Sequence, residues 1–122
     1  MSINDIENRV IQLVGNFSEE AFIYDFLLAY DIPKATVSKL KVGNLNLSKV
    51  DGEVSLKKKL FFKEVLNNDL HISITTIAKE IKHNQRFIIV TDYKTLLAKD
   101  TKMNVSLDIS LKDLPKTYDF FL

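Results

Sequence analysis

The hydrophobic period of the chain changes at Gly43-Asn44, and that change governs what it can fold into. On the N-terminal side apolar residues recur every three or four positions; on the C-terminal side they alternate or form short runs. Neither an all-helical bundle nor an all-β sandwich satisfies both halves. In the first half, Ile3, Ile6, Val10, Leu13 and Val14 lay one apolar stripe along a helix ending near Gly15. Ser18 then reads as an N-cap, with Glu19 and Glu20 placed favourably at a helix start. The helix they open is apolar on most sides through Phe22, Ile23, Phe26, Leu27, Leu28 and Tyr30, so it belongs at the centre of the domain. Asp31-Ile32-Pro33 breaks it, and a short third helix carrying Val37 and Leu40 ends at Gly43.

Beyond the change, Leu45 and Leu47 alternate with polar residues, Asp51-Gly52 is a tight-turn signal, and Val54 and Leu56 alternate again, which predicts a hairpin closed at Asp51-Gly52. Leu60-Phe61-Phe62 supplies the core of a strand ending near Val65. After a turn at residues 67–69, Ile74, Ile77, Ala78 and Ile81 occupy one helical face. Strands follow at Phe87 to Val90, at Thr95 to Ala98 after the turn Asp92-Tyr93-Lys94, and through Val105, Leu107 and Ile109. The expected class is α/β, or α+β with a mixed sheet: N-terminal helices, then a sheet with a crossover helix. At 122 residues with 46% hydrophobic and 27% charged, residues 1–122 are expected to form one soluble domain. With no cysteine there are no disulfides and no thiolate zinc sites. No apolar run approaches the roughly 20 residues that span a bilayer, and the first ten residues lack the character of a secretion signal, so no membrane partner and a cytoplasmic location are expected. The aromatic ending Tyr118, Phe120, Phe121 and Leu122 reads either as a terminal element docked on the core or as a cut through a longer polypeptide.

The net charge of +1 conceals an uneven distribution. Residues 1–33 carry Arg9 against six acidic residues, a net of −5, whereas residues 34–63 carry eight lysines against Asp51 and Glu53, a net of +6. A lysine band of this kind suits a phosphate backbone, because each phosphate neutralised releases a counterion. Lys34, Lys39, Lys41, Lys57, Lys58 and Lys59 are the expected DNA contacts. The band has no arginine and few aromatics, so backbone contact is favoured over base reading. The alternative is a solvated face partly neutralised by the acidic first segment.

Two motifs bear on chemistry. Ile32 to Leu40 resembles the turn and recognition helix of a helix-turn-helix, with Leu27 and Asp31 where a small residue and a glycine are usual. Asp51 and Glu53, followed by Leu60-Phe61-Phe62-Lys63-Glu64, a helix and the strand Phe87 to Thr91, resemble the order of a PD-(D/E)-x-K restriction-endonuclease core. In that pattern carboxylates hold Mg²⁺ and a lysine positions the attacking water. The resemblance implies Glu53, Lys63 and Glu64 as the catalytic group and Asp51 and Glu53 as metal ligands. Phe61 stands where the pattern has an acid, so Glu64, Glu20 or Asp92 would have to substitute, and a degenerate Mg²⁺-dependent nuclease is the expectation. His71 and His83 are too far apart for a local zinc motif and read as ordinary surface or helix-end residues.

The stretch Phe26 to Thr36, Gly52-Glu53-Val54, Lys58 to Lys63, Arg86 to Ala98 and the ending Tyr118 to Leu122 are together similar to the N-terminal region of large bacterial type II restriction-modification proteins, which fuse a nuclease-like domain to an adenine-specific DNA methyltransferase. The resemblance implies a domain that contacts DNA or positions a C-terminal methyltransferase domain of the same polypeptide, with S-adenosylmethionine as the neighbour's cofactor. This chain has only Pro33 and Pro115 and three isolated glycines, so neither a Pro-Pro-Tyr motif nor a glycine-rich cofactor loop can be written within it. A non-catalytic protein-interaction scaffold is the other expectation.

Overall fold

The computed structural model describes residues 3–81 and 84–122, so the expectation for His83 lies outside the described residues. Three helices come first: α1 (Ile3–Asn16), α2 (Phe22–Ala29) and α3 (Lys34–Lys41). The central position expected of α2 is realised, with Phe22, Ile23, Phe26, Leu27 and Ala29 buried. Its end is a Schellman motif: Asp31 N–H bonds to Leu28 O at 3.1 Å and Ile32 N–H to Leu27 O at 3.0 Å. Asp31 takes the left-handed conformation of that motif, φ +71°, without being glycine. α3 ends the same way at Gly43, φ +89°, through bonds from Gly43 N–H to Leu40 O and from Asn44 N–H to Lys39 O.

The sheet has five strands in chain order: β1 (Glu53–Leu56), β2 (Leu60–Glu64), β3 (Phe87–Thr91), β4 (Thr95–Asp100) and β5 (Val105–Ser110). β2 and β3 are parallel and joined by the crossover helix α4 (Leu70–Glu80); the other neighbours are antiparallel. This is the mixed α/β class that the periodicity requires. Asp69 caps α4, accepting from Ile72 N–H at 3.0 Å.

The hairpin is displaced from its expected place. Asp51-Gly52 does turn the chain, with Gly52 at φ +83° and Glu53 N–H on Val50 O, but the β1–β2 hairpin closes at Lys57-Lys58-Lys59. The segment containing Leu45 and Leu47 is not a strand. Asn46 supplies the reason: its side-chain amide donates to Glu53 O at 2.9 Å and accepts from Ser55 N–H at 2.8 Å, taking up edge groups that a strand backbone would otherwise pair.

One face of the sheet packs on α1 to α3 and a C-terminal segment, Leu111–Phe121, of 3-10 turns meeting at a kink at Thr117. That segment buries Leu111, Leu114 and Phe121, and Phe121 stands edge-on to Phe26 at 5.1 Å and Phe87 at 5.2 Å. The aromatic ending is therefore docked on the core. The other face is covered more thinly: Leu70, Ile74 and Ile77 of α4 pack on Val65, Val90 and Leu97, and no residue of α4 is fully buried. Among the described residues no helix is long and apolar enough to cross a membrane.

Candidate nucleic-acid interface and the nuclease-like cleft

The β1–β2 register sets Glu53 opposite Lys63, and paired residues share a face. Lys63 Nζ lies 3.3 Å from Glu53 Oε2, and Ser48 Oγ donates to Glu53 Oε1 at 2.7 Å. Phe61, two residues before Lys63, shares this face. Glu53, Phe61 and Lys63, with Asp69, Thr76 and Glu80 of the α4 region, line a cleft of about 490 Å³.

Glu64 does not join them. Neighbouring residues of a strand face opposite sides, so Glu64 follows Leu60 and Phe62 onto the helical face. There it lies beside Gly52, where an added Cβ would sit 3.5 Å from Glu64 Oε2, and beside Tyr93. Burial first, then hydrogen bonding to the Glu64 carboxylate, pushes the Tyr93 phenol above its ordinary range. Of the proposed catalytic group the structure brings together Glu53 and Lys63 and leaves Glu64 on the far side. Asp51 is exposed in the turn, and Asp92 spends its carboxylate on Lys94 N–H and Thr95 N–H, which hold it below the usual carboxylate range. Among the described residues no three His, Cys, Asp or Glu side chains gather as a metal site. The residues present do not fit Mg²⁺: both Glu53 oxygens are engaged by Lys63 and Ser48, and Phe61 offers no oxygen.

Glu53 therefore acts as a structural latch on the 48–53 turn. Replacing Glu53 with Gln is expected to lower unfolding free energy by roughly 0.5–1.5 kcal/mol, since a charge-assisted hydrogen bond and a half-exposed ion pair are weakened. Urea denaturation measures it; a gain in stability would instead mark a carboxylate held at an energetic cost for function.

The lysines of the band fall in two places. Lys57, Lys58 and Lys59 form the exposed hairpin tip, with Lys58 at φ +66°. The tip is fixed by Lys59 N–H on Leu56 O and by Arg86 and Phe87 N–H groups on Lys59 O, at 3.0 to 3.1 Å. Lys58 and Lys59 border a groove of about 270 Å³ that also includes Arg86 and Tyr30. Lys34, by contrast, shares a cavity of about 600 Å³ with Asp25 and Asp31. Lys41 Nζ lies 5.5 Å from the Tyr24 ring centre. The acidic first segment thus offsets the band at the start of α3 and leaves the hairpin tip open. Carboxylates beside Lys34 would repel a phosphate at the end of α3 that a helix-turn-helix presents to DNA. No ion pair to a described carboxylate involves Lys34, Lys39, Lys41 or the tip lysines.

Sequence reasoning missed Ser48, Asn46 and the Arg86–Asp100 pair, in which Arg86 Nη2 lies 3.0 Å from Asp100 Oδ2. It also gave His71 no partner, whereas His71 Nε2 lies 3.0 Å from Asp108 Oδ2 and links α4 to β5 at the surface.

DNA methyltransferase A of Bacillus subtilis (strain 168) is 39% identical over 125 residues, covering 100% of this chain. The chain spans only 14% of that relative's length. No solved structure matches significantly. The family described as "MmeI, N-terminal domain" matches residues 1–122, and the chain belongs to that family.

Proposed function

We propose that this domain holds DNA by its backbone for a longer cytoplasmic restriction-modification protein, whose following polypeptide uses S-adenosylmethionine to methylate adenine. The observation that carries the reading is the hairpin tip: three consecutive exposed lysines on a backbone fixed at both ends. A tip of this kind neutralises phosphates without reading bases, because its own three residues offer no guanidinium fork or aromatic ring and the Arg86 guanidinium beside it is paired with Asp100. Cleavage is not part of the reading. The Glu53–Lys63 pair at 3.3 Å closes the cleft electrostatically, and the domain's contribution is to bind and position. Methylation belongs outside these residues, since Gly15, Gly43 and Gly52 are isolated and make no cofactor loop.

The test is binding to a duplex of arbitrary sequence across a salt series, read by fluorescence anisotropy. The three tip lysines are expected to contribute about 2.7 to the slope of log affinity against log salt. An affinity that does not fall as salt rises overturns the reading.

A further inference from the structure

The segment from Val42 to Val50 is built inside out. Two of its polar side chains turn inward: Asn46 bonds to Glu53 O, Ser55 N–H and Ser48 N–H, and Ser48 Oγ bonds to Glu53 Oε1 and accepts from Val50 N–H. Its apolar side chains face solvent, with Val42 73% exposed, Val50 57%, Leu47 43% and Leu45 38%. Leu47 N–H bonds to Ser55 O at 2.9 Å and Asn44 N–H to Lys39 O, so the segment is pinned in this orientation. Four exposed aliphatic residues on a pinned backbone make an apolar patch of the kind that marks an interaction site.

Charge states what the patch fits. Residues 39–50 contain Lys39, Lys41 and Lys49 and no acidic residue, and all three lysines are exposed. A duplex backbone would match the lysines and leave the aliphatic side chains facing its sugars and phosphates, whereas an acidic protein surface carrying apolar side chains matches both. A second copy could offer its acidic α1 with the exposed Ile11. Among the described residues of α1, however, Ile11 is the one exposed large aliphatic side chain, so that surface answers the lysines and leaves most of the four aliphatic residues unmatched.

We infer that the Val42–Val50 face docks on an acidic, apolar-studded surface of the polypeptide that follows this domain. The inference rests on the reading that the domain belongs to a longer protein, which the 14% coverage of the relative supports. The β1–β2 tip then remains for DNA, and the lysine band serves two partners.

The test uses the full-length protein and a carbodiimide, which joins a lysine amine directly to a carboxylate as an amide. Crosslinks from Lys39, Lys41 or Lys49 to Asp or Glu residues outside residues 1–122 are expected, with a yield unchanged on dilution. Leu45→Ser with Leu47→Ser is expected to cut that yield by about tenfold while leaving duplex affinity unchanged. Should the serine pair unfold the domain, Lys41→Glu with Lys49→Glu gives the same reading through crosslinks remaining at Lys39. Crosslinks confined to residues 1–122, crosslinks to a second copy that vanish on dilution, or a yield indifferent to both variants overturns the inference, as does a reading frame that stops at Leu122. Loss of salt-dependent DNA binding with the crosslinks intact would sink the tip reading alone, so the two failures are distinguishable.

Discussion

Glutamine at Lys57, Lys58 and Lys59 together is expected to weaken duplex binding by about 10²–10³-fold at 0.1 M salt and to flatten the log–log salt slope by about 2.7. The magnitude follows from counterion release: each phosphate contact adds about 0.9 to the slope, which is roughly eightfold in affinity at 0.1 M salt. Removing their charge rearranges no network, because the three side chains pair with no described carboxylate. The backbone of the tip is held by a bond from Lys59 N–H to Leu56 O and by bonds from Arg86 and Phe87 N–H to Lys59 O, none involving the lysine ammonium groups, so the variants should fold as the parent does. Lys34→Gln is the control, with an expected loss under about threefold, because Asp25 and Asp31 border the same cavity and already oppose a phosphate there. A triple variant that keeps the parental salt slope would remove the hairpin tip from any account of DNA contact.

The elements that could be read in the sequence are those where local chemistry and tertiary need agree. Phe22, Phe26 and Leu27 made α2 central because a helix apolar on most sides must be covered, and Gly43 ended α3 because a left-handed residue was needed there. The hairpin was misplaced because local signals compete. Asp51-Gly52 is the stronger turn sequence, yet the chain closes its hairpin where Lys58 accepts φ +66°, a conformation nothing in three lysines announces. Alternation through Leu45 and Leu47 fixes a period but not which parity is buried, and here the bonds of Asn46 and Ser48 decide it against the leucines. Parity alone separates Lys63 from Glu64, since adjacent residues of one strand cannot serve one cleft. The Glu53–Lys63 pairing needed the register, which depends on the displaced turn.

Alanine at Asp100 is expected to destabilise the domain by about 2–4 kcal/mol, and asparagine by about 1–2. Asp100 is the best-satisfied charge in the sheet: its carboxylate accepts from Arg86 Nε at 3.3 Å and Nη2 at 3.0 Å, and from Lys102 and Met103 N–H at 3.0 and 3.1 Å. Its side chain is 3% exposed, while that of Arg86 is 33% exposed. Breaking a buried pair typically costs about 3–5 kcal/mol, and the lower figure here reflects that Arg86 regains water once its partner is gone. Asparagine keeps an acceptor for the two backbone N–H groups and loses the charge, hence the smaller cost. The pH dependence follows from the same contacts. The Arg86 guanidinium and then the two N–H groups hold the Asp100 carboxyl below the usual carboxylate range. Its stabilisation is thus complete above the unfolded value of about 3.9 and is lost as pH falls through the lower folded value. Asp100→Asn should therefore be less stable than the parent at neutral pH and converge with it in acid, as measured by urea midpoints across a pH series. Equal midpoints at pH 7 would mean that the pair contributes nothing. Arg86 also bonds through its N–H to Lys59 O, so this clamp stands directly behind the hairpin tip. Asp100→Asn should leave the salt slope of duplex binding intact wherever the domain is folded, and the tip glutamines should leave the acid limb intact. Stability and DNA contact are then separable although they meet at Lys59.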